Sequence, residues 1–252
     1  MLYVALTALG VGGSTIVGAL LGLLFRKIPH HLHDGLLSFA AGVMLAASFT
    51  GLLLPSIELG GSHGIWASLA GLFLGAVFLS FADRFIPHLH NMAGLEQEPH
   101  QQNKDLDATL LFVLAIAIHN LPEGIAAGVA AGQKDVSNSL SVTIGIMLQN
   151  IPEGMVLIFP LLAASVSNMR AFLISAATGL IEIIGTLIGY AAVHIITPLL
   201  PFALAFAAGT MLYVIADEMI PETHLHGHER LATYAMLLGI AAMLIMDFYA
   251  QA

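Results

Sequence analysis

The chain has 252 residues, of which 58% are hydrophobic and only 9% charged, against about 25% charged in a soluble domain. That leaves too little polar surface to face water all round, so lipid is the natural solvent. A net charge of −9 with 7 basic residues argues against a nucleic-acid partner, and the absence of cysteine excludes disulfides and thiolate metal sites.

A membrane-spanning helix needs about 20 mostly apolar residues. Runs of that kind cover 2–25, 34–59, 63–86, 107–131, 137–164, 168–196, 199–220 and 231–250. They predict an all-α polytopic membrane protein, eight spans in one bundle, with a single domain over 1–252. Residues 1–25 lack a basic n-region, and their apolar run exceeds the roughly 7–15 residues of a signal-peptide core; they read as a retained first span. The connectors are short except 87–106, where Pro87, Pro99 and the run Gln101-Gln102-Asn103-Lys104 predict a flexible loop.

Basic residues set the orientation. Arg26, Lys27, Arg84, Lys104, Arg170 and Arg230 fall in connectors on one side, and Lys134 alone falls on the other. The positive-inside bias makes the first side cytoplasmic, so both termini lie outside it. Small residues recur four apart at Gly10, Ser14, Gly18 and Gly22, at Gly71 and Gly75, at Gly124, Gly128 and Gly132, and at Gly185 and Gly189. In lipid, where no hydrophobic force draws helices together, such stripes are close-packing surfaces.

The informative residues are those that lipid should exclude. His119-Asn120-Leu121-Pro122-Glu123-Gly124 in the fourth span and Gln149-Asn150-Ile151-Pro152-Glu153-Gly154 in the fifth share Asn-x-Pro-Glu-Gly at identical spacing, and Glu182 lies near the middle of the sixth. A charged carboxylate at mid-bilayer costs about 2.5–3.5 kcal/mol on insertion scales, hence roughly 8–10 kcal/mol for three. All basic residues sit near the membrane surfaces, so the neutralising charge must be protons or a cation from solution. The spacing supports a cation. His119 and Glu123 share one helix face, as do Gln149 and Glu153, while Asn120 and Asn150 point about 100° round toward an adjacent position. Pro122 and Pro152 should disturb the preceding turn and free the carbonyls of Ile118 and Leu148. Imidazole with carboxylates suits zinc, iron, manganese or cadmium better than magnesium or calcium. Gln149 reads equally well as a ligand and as an interhelical hydrogen-bond former. Glu182 reads as a pathway residue by its depth, and Met44, on spacing alone, as a gap-filler.

His30, His31, His33, His88, His90, His100, His224, His226 and His228 fall in the cytoplasmic connectors, against His63 and His194 outside. With Asp217, Glu218, Glu222 and Asp83 at similar depth, they suggest an inner vestibule for metal leaving the pore. A proton-coupled carrier of an organic solute would need aromatic or basic recognition groups at mid-depth, and His119 apart there are none. An intramembrane metal hydrolase needs a free general base and an open water position, and no H-E-x-x-H occurs.

At the two Asn-x-Pro-Glu-Gly segments the sequence resembles the ZIP (Zrt-, Irt-like protein) family of divalent-metal transporters, its shorter prokaryotic members above all, over the whole chain. The resemblance implies a primary metal site of His119, Glu123, Gln149 and Glu153, joined by Met44 from the second span. It implies an adjoining second site of Asn120, Asn150 and Glu182 that shares Glu123 and Glu153. Many family members carry His or Asp where Gln149 and Asn150 stand here. The resemblance further implies zinc, cadmium, iron and manganese as cargo rather than cofactor and uptake toward the cytoplasm across the inner membrane. It also implies a homodimer and a metal-bearing helix group that moves as a unit.

Overall fold

A computed structural model of the chain describes residues 2–25, 29–61, 64–92, 120–133, 135–163, 165–195 and 199–251. The elements are α1 (Leu2–Phe25), α2 (His30–Ala47), a π-helical stretch (Ser48–Leu53), α3 (Leu54–Leu59) and α4 (Gly64–Met92). Next come α5 over 120–131, then α6 (Val136–Ala163), α7 (Asn168–Ile195) and α8 (Leu200–Val214). A second π-helical stretch (Ile215–Met219), α9 (Ile220–Thr223) and α10 (Glu229–Gln251) complete the order. Among the described residues there is no strand, and 7 helical segments are long and apolar enough to cross a membrane.

These segments match seven of the eight predicted spans to within a few residues. α5 is the described part of the remaining one, 107–131. The rest of that span, and His119 with it, lies outside the described residues, as do Arg26, Lys27, His63, His100, Lys104 and Lys134. α4 runs on to Met92, so the first residues of the predicted loop 87–106 are helical and 93–106 lie outside the described residues. Pro87 removes one hydrogen bond, which bends a helix without forcing it to end.

The expected disturbance at Pro152 is absent, since α6 runs unbroken from Val136 to Ala163. Irregularity falls instead in the two segments that carry Pro55 and Pro221. Each proline lacks an amide hydrogen and crowds the carbonyl four residues back, at Gly51 and Asp217. The wider π turns at Ser48–Leu53 and Ile215–Met219 relieve that crowding.

The helices form two groups. In one, α1 packs on α6 and α7, and α5 packs on α7 through glycine; in the other, α4 packs on α8 and α10 on α2. The predicted small-residue stripes are the contact lines. A Cβ at Gly154 would lie 2.2 Å from the Thr15 carbonyl oxygen, and one at Gly18 would lie 2.2 Å from that of Ile151. Gly124 and Gly128 meet the carbonyls of Glu182 and Thr186 at 2.3 and 2.1 Å on the same construction. Large apolar side chains point outward along α1, α4, α7 and α10, among them Leu9, Leu20, Phe73, Phe81, Leu180, Ile188, Leu238 and Ile245, while Glu123, Glu153 and Glu182 are buried. Apolar outside and carboxylate inside is the inverse of a water-soluble bundle, as lipid demands.

Gly154→Ala is therefore expected to lower stability by about 1–3 kcal/mol, the usual range for overpacking. Gly13→Ala, where an added Cβ meets nothing within 4 Å, should leave it unchanged. Thermal unfolding of the two variants in detergent checks the contrast, and equal midpoints would contradict the packing described.

Candidate functional site

The close approaches of α1, α5, α6 and α7 bring the polar residues of four helices to one place. α5 contributes Asn120 and Glu123, α6 contributes Gln149, Asn150 and Glu153, α7 contributes Glu182, and α1 contributes Thr15. All are buried. Because Gly124 lets the α5 backbone rest on that of α7 at Glu182, the two carboxylate-bearing turns sit side by side. A β-carbon at either helix crossing would push them apart.

The site has two halves. In one, Gln149 Nε2 donates to Glu123 Oε1 at 2.8 Å, which joins α6 to α5. In the other, Glu182 accepts from three helices. Thr15 Oγ1 and Asn120 Nδ2 donate to its Oε1 at 2.6 and 2.5 Å, and Asn150 Nδ2 donates to its Oε2 at 2.6 Å. Both Glu123 and Glu182 lie within Coulombic range of Glu153. The two halves thus belong to one cluster of three carboxylates.

The amides hold the carboxylates by their nitrogens, which turns their oxygens the other way. Asn120 Oδ1, Glu123 Oε2, Gln149 Oε1 and Asn150 Oδ1 are buried with no hydrogen-bond partner among the described residues. An unmet buried acceptor costs about 1–3 kcal/mol, so four of them in one cluster form a demand for donors or a cation. Arg and Lys do not meet it, for none is found at this depth in the sequence.

Of the other predicted residues, Met44 is buried in the main apolar cluster, which also holds Ala126, Ala127 and Ile146 from the site's own helices. It comes from the opposite helix group. Among the described residues no three His, Asp or Glu side chains already enclose an ion-sized position; His119, one of the predicted ligands, is outside them. Thr15 was not singled out from the sequence. It sits beside the Ser14 stripe and carries no mark of its own until α1 is placed against α7.

Two cavities flank the cluster. One of about 300 Å³ opens along the seam between the helix groups, with Glu123 and Glu153 at its deep end and His33, Asp217, Glu218 and Glu222 toward its mouth. The other, of about 1380 Å³, lies at the opposite end and is lined by Thr50, Glu58, Asp135, Asn138 and Asp247, with none of the three central glutamates in its wall. Asp247 is buried there, accepting from Thr50 Oγ1 at 2.5 Å and from Ser141 Oγ. It is a carboxylate inside an apolar span, a signal the sequence does carry at that position. Among the described residues, the cavity that borders Glu123 and Glu153 also borders His33 at the histidine-rich end.

Residues 96–247 match the family described as ZIP Zinc transporter. The zinc transporter GufA of Myxococcus xanthus is 38% identical over 242 residues, covering 94% of each chain. The zinc transporter ZIPB of Bordetella bronchiseptica is 37% identical over 240 residues, 93% of this chain and 77% of that protein. Human zinc transporter ZIP11 is 33% identical over an alignment of 319 positions, covering 93% of each.

Replacing Glu182 with Leu strands three donors at once and is expected to cost more than about 3 kcal/mol, whereas Thr15→Val removes one hydrogen bond and should cost about 1 kcal/mol. Thermal unfolding in detergent measures both. A Glu182→Leu variant as stable as the parent would mean that the carboxylate does not hold these helices together.

Proposed function

This chain belongs to the ZIP zinc transporter family, and on that premise we propose that it carries divalent transition-metal ions, zinc first, through the buried carboxylate and amide cluster. The observation that carries the reading is the set of four buried oxygens, on Glu123, Gln149, Asn120 and Asn150, that have no donor among the described residues. A divalent cation supplies what they lack. It brings positive charge to a depth where the sequence has no Arg or Lys, and it accepts amide oxygens as ligands once the amides have turned their nitrogens away.

In this reading Glu123, Gln149 and Glu153 hold the first ion together with His119, and Met44 adds a thioether from the facing helix group. Asn120, Asn150 and Glu182 form the adjoining position. Glu182 already has three donors, which act as a neutral substitute for metal on that side, so the first position is the stronger. Zinc, cadmium, iron and manganese all suit an imidazole, carboxylate and amide set. They are cargo, and the protein is a carrier without a resident cofactor and not an enzyme.

The eight-span arrangement, with 107–131 as the fourth span and 1–252 as one domain, puts both termini outside and the histidine-rich end in the cytoplasm by the positive-inside bias. The cavity that reaches Glu123 and Glu153 then faces the cytoplasm, as in a carrier about to release its ion inward. Uptake across the inner membrane follows. All the proposed ligands except Met44 lie on α1, α5, α6 and α7 or their continuation, so that group can travel as a unit against the other. A homodimer is the assembly we propose.

Proteoliposomes loaded with a zinc-sensitive dye test the reading. Zinc should enter with the unsubstituted chain, and Glu153→Ala should slow entry at least tenfold while the protein remains folded. Binding without flux in the unsubstituted chain would overturn the carrier reading and favour a metal-dependent activity at the same site.

A further inference from the structure

A second set of buried or half-buried ligands stands apart from the central cluster, at the mouth of the cavity. His33 and Asp34 lie near the start of α2, and His226 and His228 lie in the connector between α9 and α10. Gly227 between them adopts φ 80°, a conformation that favours glycine, and its turn lets both imidazoles face the same carboxylate. His226 Nδ1 lies 3.0 Å and His33 Nδ1 3.5 Å from Asp34 Oδ1, and His228 Nδ1 lies 3.5 Å from Asp34 Oδ2. Asp34 is fully buried, while the three histidines keep 17%, 31% and 40% of their side-chain surface exposed.

One protonated imidazole would suffice to neutralise Asp34, yet three are gathered on it. The second and third gain little by being there: His33 Nδ1, His228 Nδ1 and Asp34 Oδ2 are buried atoms without a hydrogen-bond partner. Three ring nitrogens and a carboxylate are also what a four-coordinate transition-metal ion takes. Bonds of 2.0–2.1 Å in a tetrahedron place neighbouring donor atoms about 3.3 Å apart, close to the observed 3.0–3.5 Å. Two further rings back the first set, His30 stacked on His226 at 4.8 Å and His31 tilted on His228 at 5.9 Å between centroids. His224 is excluded, because its Nδ1 is taken by the Ile220 carbonyl at 2.8 Å.

We propose that His33, Asp34, His226 and His228 form a separate transition-metal site, for zinc-class ions such as Zn²⁺ or Co²⁺, that joins the start of α2 to the α9–α10 connector. As they stand the imidazoles do not enclose an ion, so binding requires the three rings to turn toward a common point beside Asp34. Imidazole ligands favour such ions over magnesium and calcium. His33 also lines the cavity that leads to Glu123 and Glu153, so an ion held here stands at its mouth. The site is independent of whether the central cluster carries metal.

The test titrates the metal-free, tag-free full chain in detergent with Co²⁺ alone and follows its visible d–d absorption. The background is the Glu123→Ala/Glu153→Ala variant, which removes the central carboxylates. It should still take up one Co²⁺ per chain with a tetrahedral-type spectrum. Adding His226→Ala/His228→Ala, both partly exposed and thus poor candidates for unfolding, should weaken that uptake at least tenfold. Asp34→Asn should do the same, with circular dichroism reporting its fold. Absence of Co²⁺ uptake in the background variant, or uptake unaffected by the histidine substitutions, overturns the site. A chain that moves no zinc into liposomes yet keeps this Co²⁺ signal would lose the carrier reading and retain this one.

Discussion

Two buried carboxylates held by neutral donors, Glu123 and Glu182, are the constraint from which the rest of the structure follows. Glu123 accepts from an amide, and Glu182 accepts from a hydroxyl and two amides. Neutral donors soften the burial of negative charge without cancelling it. They also require four helices to come close enough for short side chains to meet. Gly124 against Glu182, Gly154 against Thr15 and Gly18 against Ile151 supply that closeness. The glycine contacts and the polar cluster are thus one device, backbone approach on one side and convergence of ligands on the other. The apolar exterior is its complement, since a cluster this poor in counter-charge has value only where water does not flood it.

The same cluster explains the placement of the cavities. The space that reaches Glu123 and Glu153 runs between the two helix groups and not through the middle of either. Tight glycine contacts close the interior of each group, so the open space lies along the seam. The π turns before Pro55 and Pro221 lie in the group that forms the other wall of the seam. The second, Ile215–Met219, lines the seam through Asp217, Glu218 and Met219, whereas the first, Ser48–Leu53, borders the other cavity through Thr50.

Much of this was legible in the chain itself. Apolar run lengths set seven of the segments to within a few residues, because membrane thickness fixes how long such a run must be. The doubled Asn-x-Pro-Glu-Gly marked the residues that converge, because a polar residue in lipid needs a partner wherever it lies in sequence. Less legible were effects that depend on which helix is a neighbour. Pro152 was expected to disturb the turn before it, yet α6 runs through it unbroken, whereas Pro55 and Pro221, unremarked in the sequence, sit beside π turns. Thr15 is an ordinary small residue until α1 lies against α7. Asp247 was readable as a charge in apolar surroundings and Asp34 as a polar residue at the edge of a span, but their partners, 106 and 192 positions away at Ser141 and His226, were not.

By itself the sequence determined the solvent, the helical class, the length of seven apolar segments and the identity of the three central glutamates, since composition and periodicity act locally and lipid is unforgiving of charge. The tertiary structure alone decided which oxygens are left without donors and which end of the bundle opens to them. It also decided that three histidines from two distant segments meet one aspartate. Those are matters of distance between residues remote along the chain, set by helix packing, and no local pattern encodes them.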